Sequence, residues 1–322
     1  MNKKAQTSII ILWVLIIITL LTVSLGYRVS LALRLSKYQR NRLKAHYLAK
    51  AGINWGIVEL EKDKSSNSYD GINETWSTGR DAQDKAIFEN IELEADTGDF
   101  FNLSITDAER KININEAAKE LLVALLEKCK VIDASKIANN IRAWRGSQEP
   151  DIPEEAKNYD NLGYSCKANR FINLEELMLV KDVTAEIYDS LKDLITVYGG
   201  LKANINTVSE QVLGVFADTS VKELEAQGIQ DRVPGDLINR IIGLRQNSGP
   251  FESWQGLRAK LENEAPLSSS QVNVLNQLEP RLDTKSSCFY ILSNGIICNK
   301  LMAVINCTYD REKQKIIYWH ET

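Results

Sequence analysis

The chain opens on an apolar run that no charge interrupts from residue 5 to residue 27. Its centre, 9–25, is dominated by Ile, Leu and Val on all sides, unlike the one-sided stripe of a helix that docks on a soluble core. At 1.5 Å per residue the run reaches about 34 Å, enough to cross a bilayer core. Trp13 and Tyr27 are candidate interfacial anchors. A cleaved secretory signal would be shorter and would end in a small-x-small site. Here the run passes without a breaker into Arg28-Val29-Ser30-Leu31-Ala32-Leu33-Arg34-Leu35. Leu31, Leu35 and Tyr38, then Leu43, Tyr47 and Ala51, keep helical spacing. No proline occurs before Pro150 to interrupt them. One helix is predicted from the membrane to about Leu60, a rod of about 75–80 Å. Its outer apolar stripe needs a globular domain or sister helices to cover it.

Residues 63–107 are polar and turn-rich, with Ser65-Ser66-Asn67-Ser68 and Asp70-Gly71 as loop signals. Alternation predicts strands over 88–95 and 100–105. Lys111-Ile112-Asn113-Ile114-Asn115 then leads into a helix carrying Leu121, Leu122, Leu125 and Leu126, with Asn115 placed to cap it. The pattern returns as Lys202-Ala203-Asn204-Ile205-Asn206-Thr207 before Val212, Leu213, Val215 and Phe216, which marks an internal repeat. Short helices follow in each copy, over 137–144 and 174–180 in the first and 237–244 and 254–261 in the second. Strand character resumes over 288–292, 302–306 and 315–319, and Asn294-Gly295 carries a hairpin-turn signal.

These elements predict an α+β fold: a long N-terminal transmembrane helix packed on an antiparallel sheet, interrupted by a large all-α insertion of two repeats. The expected segments are a membrane span at 6–27, preceded by the short basic stretch 1–5, and the helix continuation at 28–62. The first part of the strand domain follows at 63–107, the two helical repeats at 108–198 and 199–282, and the closing strands at 283–322.

Composition narrows the chemistry. The net charge is −4, with only two histidines, His46 and His320. No serine-histidine-acid or cysteine-histidine arrangement stands out, so no catalytic residue is assigned. Arg28, Arg34, Lys37, Arg40, Arg42, Lys44 and Lys50 follow the span with no acid before Glu59. A count of positive charge would put that side in the cytoplasm, although long domains translocate despite such charge. The repeats also resemble helix-hairpin-helix modules, which grip DNA phosphates through glycine-rich turns. Here the first-repeat turn reads Val180-Lys181-Asp182-Val183, and over 202–282 eight Lys or Arg face ten Asp or Glu, so no nucleic acid is expected. Glu149, Asp151, Glu154, Glu155 and Asp160 concentrate carboxylates, either as a solvated acidic loop or as calcium ligands, with Glu149, Asp151 and Asp160 the candidate set. Of the five cysteines, Cys129 and Cys166 could bridge across the first repeat in an oxidising compartment, or all could be free thiols.

With Met1-Asn2-Lys3-Lys4-Ala5 ahead of the apolar run, the chain resembles the type IV pilin-like family. The resemblance implies removal of the leader by a prepilin peptidase between Ala5 and Gln6, with Ala5 standing where glycine is usual. Ile10 stands where most pilins carry glutamate, and absence of that acid is typical of the protein K branch of the type II secretion pseudopilins. That branch opens its helical insertion at Lys-Ile-Asn-x-Asn, matched here by Lys111, Ile112, Asn113 and Asn115. Its aspartate-tryptophan-arginine-aspartate stretch survives as Ala143-Trp144-Arg145-Gly146, and the second asparagine motif as Asn204 and Asn206. Membership implies an inner-membrane subunit with its bulk in the periplasm, and proteins I and J as partners. It also implies a place at the pseudopilus tip, initiating or capping assembly, and for some members calcium in the insertion. The alternatives are a minor pilin of a related type IV pilus and a membrane-anchored DNA receptor.

Overall fold

The computed structural model describes residues 3–93, 98–147, 149–229 and 235–322, with side chains of the first helix from Ile10 onward. Helix α1, Lys3–Ser66, is 64 residues long, about 96 Å at the α-helical rise. Its first half stands free of the rest of the protein, and the apolar side chains from Ile10 to Tyr38 are exposed. Thr19 and Thr22 return their hydroxyls to the carbonyls of Ile16 and Ile18 at 2.8 Å, which satisfies these two donors in an apolar surround. From Ala45 onward one face of α1 is buried, through Ala45, Leu48, Ala49, Ile53 and Leu60.

After α2 (Thr75–Thr78) come strands β1 (Ile91–Glu92), β2 (Asp99–Asp107) and β3 (Ile112–Asn113). Helices α3 (Lys119–Lys128), α4 (Ala134–Trp144), α5 (Glu154–Lys157) and α6 (Ala185–Leu191) follow, then β4 (Ile195–Thr196) and β5 (Ala203–Asn204). The second set is α7 (Glu210–Ala226), α8 (Gly235–Ser248), α9 (Trp254–Glu264) and α10 (Ser269–Leu278), closed by β6 (Leu282–Asp283). Strands β7 (Cys288–Ile297), β8 (Lys300–Asp310) and β9 (Lys315–Glu321) end the chain. Five strands make one antiparallel sheet in the order β1-β2-β7-β8-β9. The whole helical head is therefore inserted between the adjacent strands β2 and β7, with Asp107 paired to Phe289 at its neck.

The sheet lies close against α1 because the contact is lined by residues with little or no side chain. A Cβ on Gly295 would come within 2.0 Å of the Ala45 carbonyl oxygen, and one on Gly52 within 2.1 Å of Ser293 Oγ. This corrects the expected turn at Asn294-Gly295. Both residues lie inside β7, and Gly295 is glycine because the helix backbone passes over it. The reversal falls at Cys298 and Asn299, both in the left-handed region with φ of 51° and 60°, as a two-residue hairpin demands.

The strand expected over 88–95 is also cut back. Only Ile91 and Glu92 pair with β2. Asn90 takes a φ of 52° and breaks the extension. Phe88 is buried instead, its carbonyl accepting from Leu103 N at 2.8 Å. Glu94 and Ala95 lie outside the described residues.

The head has one apolar core shared by both repeats, running from Ile112 through Leu125, Ile141, Leu213 and Phe216 to Leu282. Each repeat is closed by a short parallel pair, β3 with β4 and β5 with β6. Across the repeat boundary Lys128 pairs with Asp218 at 2.9 Å, and Lys222 pairs with Glu127.

Candidate functional site

Both repeats are tied together by the same set of side chains. Asn113 donates to the Gly199 carbonyl (2.7 Å) and accepts from the amide of Asn115 (3.0 Å). Asn115 accepts from Phe171 N (2.8 Å) and donates to the carbonyls of Phe171 and Val197, both at 3.0 Å. In the second repeat Asn204 accepts from Asn206 N (2.9 Å), and Asn206 accepts from Phe251 N (2.7 Å) and donates to Phe251 O (2.9 Å). An asparagine serves because one planar amide offers donor and acceptor to a backbone segment that no strand or helix satisfies. Asn115 is therefore a loop clamp and not the helix cap its position suggested. Ala118 occupies the N-cap of α3 and makes no side-chain cap bond.

The expected motif residues Lys111, Ile112 and Trp144 are structural. Lys111 Nζ donates to the Lys192 carbonyl at 3.1 Å, and burial lowers its pKa. Ile112 pairs with Ile195 in the parallel bridge. Trp144 is buried at the end of α4, its ring 5.5 Å from Tyr159 and 6.3 Å from Tyr164. Arg145 belongs to the tryptophan-arginine stretch quoted above but was given no role, and its counterpart Arg245 escaped the sequence reading. Arg145 Nη1 donates to the carbonyls of Ile114 (2.7 Å) and Ala117 (2.8 Å), and Arg245 Nη1 to those of Ile205 (2.9 Å) and Val208 (2.7 Å). Burial lowers Arg145 to about 10, with nearby Arg142 acting in the same direction. Their signal lay in the matching stretches around Arg145 and Arg245, at the ends of corresponding helices. It was masked because α7 has 17 residues where α3 has 10.

A buried polar joint fastens this head to the rod. Asn204 Nδ2 donates to the Asp70 carbonyl (3.0 Å) and to Ser286 Oγ (2.8 Å). Ser286 Oγ donates in turn to Asp107 Oδ2 at 2.7 Å, and Thr207 Oγ1 donates to the same oxygen. Asp107 is fully enclosed, and burial raises it to about 7 against the three donors that favour its ionised form, the third being Glu109 N. Glu109 receives Gly200 N (3.1 Å), Ser287 N (3.0 Å) and the Ser287 hydroxyl, and burial raises its pKa as well. Arg311 at the end of β8 completes the joint. Its guanidinium reaches Asp70 Oδ2 (2.6 Å), the Ser286 carbonyl (2.7 Å) and Asp63 Oδ2 (3.3 Å) on the last turns of α1. The joint thus gathers the far end of α1, the ends of β2 and β8, the start of β7 and the second asparagine motif.

The three residues expected to hold calcium in the head are not brought together as a cation site. Glu149 and Asp151 converge on the guanidinium of Arg142, which is 2% exposed, and Asp151 also takes Lys119 at 2.9 Å. These cations hold the Asp151 carboxyl well below the usual range. Asp160 stands in a separate exposed turn. The pair already has its positive charge, so the set does not fit an added divalent ion. Among the described residues, one group of three acids can share an ion: Asp63, Asp70 and Glu74, beside the joint. Burial raises Asp63 to about 6 and Glu74 to about 7.

Cys129 and Cys166 are not bridged. Cys129 Sγ faces the Ser190 carbonyl at 3.6 Å, whereas Cys166 packs on Ala143, Ile152 and Ala156. The turn that a DNA-binding hairpin would use is spent internally. Lys181 Nζ donates to the carbonyls of Glu155 (3.0 Å) and Asn158 (3.3 Å), and Asp182 holds Lys136 at 2.9 Å. At the other end of the molecule, Ala5 and Gln6 lie within α1, their side chains outside the described part; Met1 and Asn2 of the expected leader also lie outside it.

Residues 100–200, from β2 through the first repeat, match the family model of the type II secretion system protein K, first domain. Over this stretch the chain is similar to protein K of the type II secretion system. Protein K is a structural pseudopilin and not an enzyme. The fold agrees. With a TM-score of 0.64 and 15% identity, 89% of the chain superposes on 99% of a chain in the crystal structure of the GspK-GspI-GspJ complex from the enterotoxigenic Escherichia coli Type 2 Secretion System. No curated protein matches the sequence. The similarity to protein K fits the one helix among the described residues that is long and apolar enough to cross a membrane, Ile10–Ser66, whose most apolar window has a mean hydropathy of 2.5 and is unburied.

Proposed function

We propose that this protein is the minor pseudopilin at the tip of a type II secretion pseudopilus, where it initiates or caps assembly and so supports protein export. The observation that carries the reading is the position of the joint. Asn204 and Thr207 of the head bond to the Asp70 carbonyl, Ser286 and Asp107, and Arg311 ties Asp70 to Asp63 on the last turns of α1, at the opposite end of the rod from the apolar half. Subunits that stack through parallel rods would meet the bulk of this head above the rod. Such a subunit accepts neighbours beside and below it and blocks addition on top.

In this reading the leader is cleaved between Ala5 and Gln6 by a prepilin peptidase. The apolar half of α1 spans the inner membrane, with the head in the periplasm. The exposed stripe of Leu31, Leu35, Tyr38 and Leu43 packs on the rods of proteins I and J, the partners of the structural neighbour. Among the basic residues along the rod, Lys44 is paired with Asp99 at 2.8 Å. The others face outward toward headgroups or sister acids.

Replacing residues 108–284 with a short linker between β2 and β7 tests the role of bulk. The shortened protein should still insert in the membrane and bind I and J, while secretion fails or filaments form without a cap. Wild-type secretion by that variant would remove the tip assignment.

A further inference from the structure

We propose that Asp63, Asp70 and Glu74 form a binding site for one hard divalent cation of the calcium class, where the rod meets the head. One carboxylate oxygen from each of the three lies within 4.8 Å of the other two. That spacing fits around a single ion with oxygen bonds of about 2.4 Å. Asp70 is 1% exposed, and its Oδ1 accepts no hydrogen bond although its Oδ2 takes both Ser286 N and Arg311. A buried anionic oxygen without a donor is costly, and it stands in the group whose other members are carboxylates.

The charge count points the same way. Arg311 is the guanidinium that reaches Asp63 and Asp70, so the three carboxylates, once ionised, outnumber it by two negative charges. Lys62 and Arg80, also on the cavity wall, are engaged by Glu59 (3.6 Å) and Asp84 (3.4 Å). Asn67 bridges Asp63 Oδ1 and Glu74 Oε1 through its amide nitrogen, 2.7 Å to each. A half-turn of that amide would offer its oxygen as a fourth ligand. The site opens on a cavity of about 430 Å³, roomy enough for the waters that complete calcium's six to eight ligands. An all-oxygen set without imidazole or thiolate favours calcium over zinc or copper. Bound there, the ion would fasten the end of α1 to the loop that carries Asp70, and through Ser286 and Arg311 to the head.

The geometry supplies its own probe. Trp76 Nε1 donates to Glu74 Oε2 at 3.0 Å, so a terbium ion in the site would be sensitised by an adjacent indole. Full-length protein in detergent should show saturable one-to-one terbium emission on tryptophan excitation. Calcium should displace it at concentrations where magnesium does not. Glu74→Gln and Asp63→Asn, both isosteric, should each weaken terbium binding at least tenfold, and Glu74→Gln should do so without lowering the thermal midpoint of the metal-free protein. Glu149→Gln should leave binding unchanged. No sensitised emission from the wild type, emission untouched by Glu74→Gln, or loss of emission in Glu149→Gln would each overturn the assignment. If Asp63→Asn fails to fold, the Glu74→Gln measurement decides. The tip assignment uses no cation, so failure here leaves it standing.

Discussion

The asparagine clamps allow a quantitative test of what holds the head together. In Asn206→Ala the buried Phe251 loses the acceptor for its N–H and the donor for its carbonyl, bonds of 2.7 and 2.9 Å. Asn206 and Phe251 are both 0% exposed, so water does not replace them. Each orphaned backbone group costs about 1–3 kcal/mol, which puts the loss near ~4 kcal/mol. For a domain of this size that is a fall in thermal midpoint of about 8–15 °C. Asn115→Ala breaks three comparable bonds, to Phe171 N, Phe171 O and Val197 O, and should cost at least as much. The clamps act on different loops, so the double substitution should be close to additive. Thermal unfolding followed by near-ultraviolet circular dichroism gives the readout. A loss below about 1 kcal/mol in either single variant would mean the loops find other partners and that these asparagines do not organise the repeats.

Two more outcomes follow from the rod and the joint. Gly295→Ala should loosen α1 from the sheet at a cost of about 3 kcal/mol, the upper range for overpacking, because the new methyl meets backbone at Ala45. Faster proteolysis within residues 41–60 would report it, and wild-type resistance there would refute the close-packing argument. For Asp107 the sign of the pH dependence is fixed by its raised pKa. Below about pH 4 folded and unfolded chains both hold the proton, and between 4 and 7 only the folded chain does. Stability therefore falls as pH rises from about 4 to about 7 and levels off above that, with a slope of at most about 1.4 kcal/mol per pH unit from this group. Asp107→Asn should flatten the urea-unfolding profile between about pH 4 and 7; an unchanged slope would show that this carboxyl does not titrate in the joint.

Strong periodicity made the rod legible, since an uninterrupted apolar run followed by three- and four-residue spacing has one economical solution. Strands β2, β8 and β9 followed from alternation, and the repeat from the two asparagine motifs. What failed were local signals overruled by distant partners. Asn294-Gly295 reads as a turn until α1 is placed over Gly295. Asn115 reads as a cap until Phe171 and Val197 arrive beside it. Glu149 and Asp151 read as metal ligands until the loop folds back and Arg142, on the helix just before them, fills the space between them. Asp63 and Glu74 lay in a stretch taken as plain loop, because the fold and not the sequence spacing brings their oxygens together with Asp70.

The neck of the insertion governs the order in which the protein can fold. Strand β7 must pair with β2 along its length, yet the entire head is synthesised between them. As open coil, so long a loop would cost about 4–5 kcal/mol in closure entropy. A folded head removes that cost, because it holds Asp107 and Ser286 within hydrogen-bonding distance of each other. A head that misfolds would leave the pilin-like half waiting in the membrane with an unpaired strand edge.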